Sequence, residues 1–195
     1  MSQLSFIYSS MNAGKTTELL QFAHNHSERN MNVLLLTPMI DDRSGVGLIK
    51  SRIGIEKKAT PFEKEDDLFL LVSTLHASKK IDCVLVDESQ FLTSKQVWEL
   101  SDVVDSLEIR VQCYGLRTDA FSNTFEGSER LLAIADRLIE RETVCYCGKN
   151  AIMVLKYNED GKVVSVGKQI DIGGNDKYVS VCRKHYKKMH EITRS

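Results

Sequence analysis

Four short apolar runs, at residues 4–8, 33–37, 83–87 and 110–114, punctuate the first part of the chain. Their apolar positions are nearly continuous rather than alternating, which is the pattern of strands buried on both faces of a parallel sheet. Stretches of helical character lie between and after them, at about residues 15–29, 64–78, 94–106 and 128–138. In the third, Val97, Leu100, Val103, Val104 and Leu107 recur at three- and four-residue steps, with Ser94 as the expected N-cap and Trp98 read as core. This strand–helix alternation predicts an α/β fold over residues 1–140, a parallel sheet flanked by helices with right-handed crossovers. Residues 40–60 break the pattern: Asp41, Asp42, Arg43, Ser44, Gly45 and Gly47 are turn formers and charges, expected to form a mobile surface loop. Residues 141–195 differ again, with short strands expected at 143–145 and 151–157, a Glu159-Asp160-Gly161 turn and a Gly173-Gly174 pair. They predict a small C-terminal β-rich module.

Composition narrows the class. Of 195 residues 42% are hydrophobic and 27% charged, enough apolar material for a sizeable core and too little net charge for a disordered chain. With 26 Lys+Arg against 27 Asp+Glu the net charge is −1, which argues against a protein that grips nucleic acid through phosphate neutralisation. No run approaches the ~18 apolar residues of a membrane span. No Lys or Arg precedes the first apolar run, so a secretory signal is not expected either. The five cysteines are odd in number, and Cys83 and Cys113 sit inside strand-like runs. A disulfide framework therefore fits poorly, and a reduced, cytoplasmic compartment fits better.

Ser9-Ser10-Met11-Asn12-Ala13-Gly14-Lys15-Thr16-Thr17 follows a predicted strand and opens a predicted helix. It is a phosphate-binding loop of the GxxxxGK[ST] type in which Ser9 replaces the first glycine. Unpaired N–H groups and the positive end of the helix dipole attract phosphate there. Lys15 can bridge the β- and γ-phosphates of ATP, and the Thr16 hydroxyl can hold Mg²⁺. At the end of the third run, Asp87 and Glu88 place two carboxylates where ligand sites form in α/β sheets. Asp87 suits the metal, directly or through water, and Glu88 is a candidate base. Cys145-x-Cys147 and Cys182-x-x-His185, two close thiolate and imidazole pairs, match a four-coordinate structural Zn²⁺ site. The remaining histidines and the basic residues Arg183, Lys184, Lys187, Lys188 and Arg194 read as solvated surface.

Together these segments resemble the type II thymidine kinases, the cytosolic, zinc-containing class, and most of all its bacterial branch. The resemblance runs through residues 10–15, Asp41-Asp42-Arg43, Asp87-Glu88-Ser89-Gln90-Phe91, residues 114–119, Ile172-Gly173-Gly174 with Tyr178, and residues 179–186. It implies that Glu88 takes the proton from the 5′-hydroxyl of the nucleoside. It implies that residues 9–16 and Asp87, Glu88, Ser89 and Gln90 line the ATP site, and that Cys145, Cys147, Cys182 and His185 hold zinc. Ile170, Asp171, Ile172, Gly173 and Tyr178 match the loop that closes over the thymine. Met11, Phe91, Leu116 and Phe125 match apolar pocket positions, and Arg43 an arginine near the transferring phosphate. Ala120 stands where the family usually has a pocket phenylalanine, with Phe121 one residue on.

The expected reaction is transfer of the ATP γ-phosphoryl group to thymidine or deoxyuridine, nucleotide salvage for DNA synthesis. No nucleic-acid or membrane partner is expected. The resemblance also implies a homotetramer and inhibition by the triphosphate end product. The rivals are a nucleic-acid-stimulated ATPase with a zinc module, in which Glu88 activates water, and a nucleotide-binding regulator without catalysis.

Overall fold

The computed structural model, which describes residues 2–41, 45–167, 169 and 177–192, places six strands in one wholly parallel sheet. They are β1 (Leu4–Ser9), β2 (Val33–Pro38), β5 (Thr60–Phe62), β6 (Cys83–Val86), β7 (Arg110–Leu116) and β8 (Arg137–Glu140), in the order β5-β2-β6-β7-β1-β8. The apolar runs are continuous because both faces are covered. Val84 and Val86 join a cluster with Val72 of α2 (Leu68–Ser78), Val97 and Leu100 of α3 (Ser94–Leu107) and Leu131 of α4 (Glu126–Ile134). Cys83 and Leu85, pointing the other way, join Leu19, Leu20 and Ala23 of α1 (Lys15–Ser27). None of the described helices is long and apolar enough to cross a membrane.

Several elements differ from the sequence reading. Within residues 40–60, the described part is a hairpin of β3 (Leu48–Lys50) and β4 (Glu56–Lys58), and residues 60–62 add β5 to the main sheet. Pro61 hides that strand, yet proline is tolerated at a sheet edge, where its missing N–H has no ladder partner to lose. The expected helix at 128–138 begins at Glu126 and stops at Ile134, and Arg137–Glu140 turns back as edge strand β8. The Asp136 carboxylate fixes that turn by accepting from Leu4 N at 2.7 Å. The N-cap of α3 is Thr93 rather than Ser94: its hydroxyl accepts from Gln96 N while Thr93 N donates to Gln96 Oε1, both at 3.1 Å, a reciprocal capping box. Trp98 is not core. It is 50% exposed on the outer side of α3, with the Arg130 guanidinium 5.7 Å from its ring centroid.

The C-terminal part has its own small core of Cys145, Ala151, Leu155, Val181, Cys182 and Tyr186. It contains β9 (Met153–Lys156), antiparallel β10 (Tyr178–Val181) and α5 (Arg183–Met189). Residues 143–145 form no strand. Gly148, at φ 81°, turns the chain back on itself, leaving one bridge between Val144 and Asn150. That knuckle carries Cys145 and Cys147.

Candidate active site

Because all six strands are parallel, their C-terminal ends share one edge, and the loops leaving β1, β6 and β7 surround a cavity of about 660 Å³. The loop after β1 reaches α1 through two left-handed residues, Asn12 at φ 67° and Gly14 at φ 74°. A Cβ on Gly14 meets nothing within 4 Å, so glycine is required there by conformation and not by space. Ser9 needs no such freedom, being the last, extended residue of β1. Its buried hydroxyl accepts from Lys15 Nζ at 2.6 Å and donates to Ser10 O at 2.6 Å. Lys15 also donates to Ser10 O at 3.0 Å. Burial lowers the Lys15 ammonium to about 8, against the opposing pull of Glu88 and Asp87, and Arg52 lowers it further.

Asp87 leaves the end of β6 with Oδ1 3.5 Å from Thr16 Oγ1. Burial first, and the neighbouring Glu88 next, push its carboxyl well above the usual carboxylate range. Such a site favours a bound cation, which offsets both effects. Glu88 itself is left-handed, at φ 47°, an uncommon conformation for a residue with a side chain. The chain then enters a 3-10 turn, Ser89–Phe91. Gln90 ties this turn to Glu88 and to β7: its Nε2 donates to Glu88 Oε2, and its Oε1 accepts from Leu116 N at 3.0 Å.

The turn fits only because two glycines face it. A Cβ on Gly115 lies 2.6 Å from Ser89 Oγ and 3.0 Å from Gln90 N, and one on Gly127 lies 2.6 Å from Ser89 O. Gly115→Ala is therefore expected to destabilise the protein by about 1–3 kcal/mol, the usual cost of overpacking. Thermal denaturation checks this, and a melting temperature equal to the parent's contradicts it.

Around the cavity the structure brings together Met11, Asn12, Ala13, Gly14, Lys15, Thr16, Asp87, Glu88, Gln90, Phe91, Leu116, Phe125 and Tyr178. Phe91 and Phe125 meet edge-on with centroids 6.0 Å apart. Ser9, Ser10 and Ser89 are buried behind the wall, with Ser10 Oγ donating to Ala151 O at 2.8 Å. Ala120 and Phe121 both line the cavity. Arg43, Ile170, Asp171, Ile172, Gly173 and Gly174 lie outside the described residues. The sequence reading missed Arg52, at the tip of the β3–β4 hairpin, and Lys156, on β9, which also line the cavity. Arg52 was hidden inside a segment read as a loop. Lys156 gave no signal, because nothing local says which face of β9 meets the cavity.

The sulfur atoms of Cys145, Cys147 and Cys182 and a ring nitrogen of His185 all lie within 4.8 Å of one another. Cys147 Sγ is 3.9 Å from Cys182 Sγ, and His185 Nδ1 is 3.3 Å from Cys145 Sγ and 3.5 Å from Cys182 Sγ. A tetrahedral zinc ion requires about 3.8 Å between sulfurs and about 3.6 Å from sulfur to nitrogen, so the donor set fits. Burial acts to raise the Cys145 thiol. Backbone N–H groups of Cys147 and Cys182, with His185, outweigh it and hold the thiol down to about 6. The thiols of Cys83 and Cys113 are pushed up by burial in the sheet, and among the described residues they join no such cluster.

Comparison with known proteins agrees along nearly the whole chain. A family model described as thymidine kinase matches residues 2–186. Thymidine kinases of Idiomarina loihiensis and Vibrio cholerae are each 54% identical over 187 residues, covering 96% of this chain and 97% of their own. That of Pasteurella multocida is 56% identical with the same coverage. Among solved structures, a replication initiator DnaA bound to AMPPCP and single-stranded DNA aligns with 72% of this chain and 40% of its own. Its 21% identity and TM-score of 0.40 are too low to bear on fold or function.

Proposed function

The chain belongs to the thymidine kinase family, and from that premise we propose that it transfers the γ-phosphoryl group of ATP to the 5′-hydroxyl of thymidine or deoxyuridine. The observation that carries the reading is the convergence on one cavity of the Asn12–Gly14 backbone, Lys15, Thr16, Asp87 and Glu88. Phosphoryl transfer needs positioning and charge neutralisation more than covalent help.

Each group then has a task. The loop amides and Lys15 hold the phosphates. The Thr16 hydroxyl and Asp87 carboxylate hold Mg²⁺, which when bound supplies positive charge against the phosphate oxygens. Glu88 accepts the 5′-hydroxyl proton as the oxygen–phosphorus bond forms and ADP leaves with the electrons of the broken bond. Gln90 aims the Glu88 carboxylate by its hydrogen bond. Met11, Phe91, Leu116 and Phe125 supply an apolar wall for the nucleoside. Tyr178 and the segment of Ile170, Asp171, Ile172 and Gly173 close over the base, and Arg43 adds charge near the transferring phosphate. Cys145, Cys147, Cys182 and His185 hold structural zinc. In this reading residues 1–140 form the kinase domain and residues 141–195 the zinc module with its closing loop. The protein works in the cytoplasm as a homotetramer and binds its triphosphate end product as inhibitor.

The decisive experiment incubates the protein with Mg-ATP and each nucleoside in turn and identifies the products. A thymidine or deoxyuridine 5′-monophosphate is expected. Free phosphate released on addition of DNA or RNA, with no nucleoside phosphorylated, overturns the reading.

A further inference from the structure

Two successive peptide groups of the phosphate loop are gripped by side chains from the C-terminal part of the chain. Ser180 Oγ donates to Met11 O at 2.7 Å, and Thr143 Oγ1 donates to Asn12 O at 3.4 Å. Ser180 lies on β10, two residues before Cys182 and two after Tyr178. Residues 178 and 180 share a face of that strand.

The direction of these bonds matters. In a trans peptide the C=O and N–H point opposite ways. Holding the Met11 carbonyl on Ser180 turns the N–H of the same peptide, that of Asn12, away from β10. Holding the Asn12 carbonyl on Thr143 does the same for the N–H of Ala13. Asn12 and Ala13 both line the cavity beside Lys15. A carbonyl turned inward would instead present negative charge to a phosphate. The grip also falls at a backbone position that does not hold itself, since Asn12 sits at φ 67°.

Resting on the proposed kinase reading, we infer that Ser180 is a positioning residue of the phosphate loop, its hydroxyl fixing the Met11–Asn12 peptide with the Asn12 N–H toward the phosphates. Thr143 is its weaker companion on the next peptide. Neither is among the residues that line the cavity.

Mg-ADP is the probe, because its binding needs no turnover. By titration calorimetry Ser180→Ala is expected to weaken Mg-ADP about two- to ten-fold, the worth of one net hydrogen bond. Ser180→Thr, which keeps the hydroxyl, restores parent affinity. The thymidine KM at saturating ATP and the zinc content stay at parent values. A merely structural role predicts instead that thymidine KM, zinc content and Mg-ADP affinity deteriorate together, and that result overturns the inference, as does parent-like Mg-ADP binding in Ser180→Ala. Should Ser180→Ala not fold, Thr143→Val carries the same test, with a weaker Mg-ADP complex and unchanged thymidine KM expected. The two readings fail separately. A parent protein that binds Mg-ADP yet makes no nucleoside monophosphate refutes the kinase reading, while the calorimetric comparison still decides the role of Ser180.

Discussion

Glu88→Gln should lower kcat by about 10²–10⁴-fold, equivalent to about 3–5 kcal/mol of barrier, the usual worth of a positioned general base. The substitution keeps the shape of the side chain. A glutamine oxygen at this position can still accept from Gln90 Nε2, as Glu88 Oε2 does now, so the 3-10 turn keeps its tie to β7 through Leu116 N. What is lost is the ability to take a proton. Asp87 is poorly placed to take over, since it is buried with Oδ1 toward Thr16 Oγ1, on the side of the cavity proposed for metal and phosphate. The loss therefore falls in the transition state, and the KM values for ATP and thymidine should stay close to the parent's. Steady-state kinetics with each substrate varied in turn checks this. A kcat within a few-fold of the parent removes Glu88 as the base and leaves positioning and charge neutralisation as the whole of the catalysis.

Sequence alone reveals those parts whose signal is local. The strand at 83–86 is continuous in apolar residues because Val84 and Val86 face one helical layer while Cys83 and Leu85 face the other. No alternation is left to confuse it with a half-exposed strand. The phosphate loop and the Asp87-Glu88 pair are short contiguous segments whose spacing carries their chemistry. Edge elements are harder to see. Arg137–Glu140 has one covered neighbour and three exposed residues, so its Arg-Leu-Ile-Glu sequence continues a helical period as readily as it makes a strand. Pro61 masks β5 for a related reason. Thr93 and Ser94 are both good caps, and only Gln96, three residues after Thr93, favours the former. Contacts between distant segments leave no local trace. Gly115 and Gly127 making room for the turn at Ser89, Ser180 reaching Met11, and Arg52 arriving at the cavity on a hairpin tip all depend on the tertiary fold. Trp98 shows the opposite error, an aromatic residue assigned to the core by type alone though it sits half-exposed beneath Arg130.

Cys182→Ser should cost the protein its zinc and, with it, the order of the C-terminal module. Among the described residues the core there is six buried side chains, two of them zinc-ligand candidates, little apolar surface to hold two strands and a short helix unaided. Binding free energy at structural zinc sites, about 10–16 kcal/mol in small peptides at neutral pH, is largely folding free energy. Cys145 and Cys147 precede β9, whereas Cys182 and His185 follow β10, so an ion held by all four closes the whole hairpin. Serine offers a neutral hydroxyl in place of a thiolate and leaves three ligands. The effect should not stop at the module. Ala151 O, Thr143 and Ser180 hold the phosphate loop at Ser10, Asn12 and Met11, so a loosened module should weaken ATP binding as well. Metal analysis should find about one zinc per parent chain and little in the variant, as expected of a closed four-ligand site. Limited proteolysis should cut the variant after residue 140 well before it cuts the main sheet, and kinase activity should fall with it. Fully active parent protein purified free of zinc would falsify the structural role, and a variant with the parent's melting temperature and protease resistance would show that the module holds together without its metal.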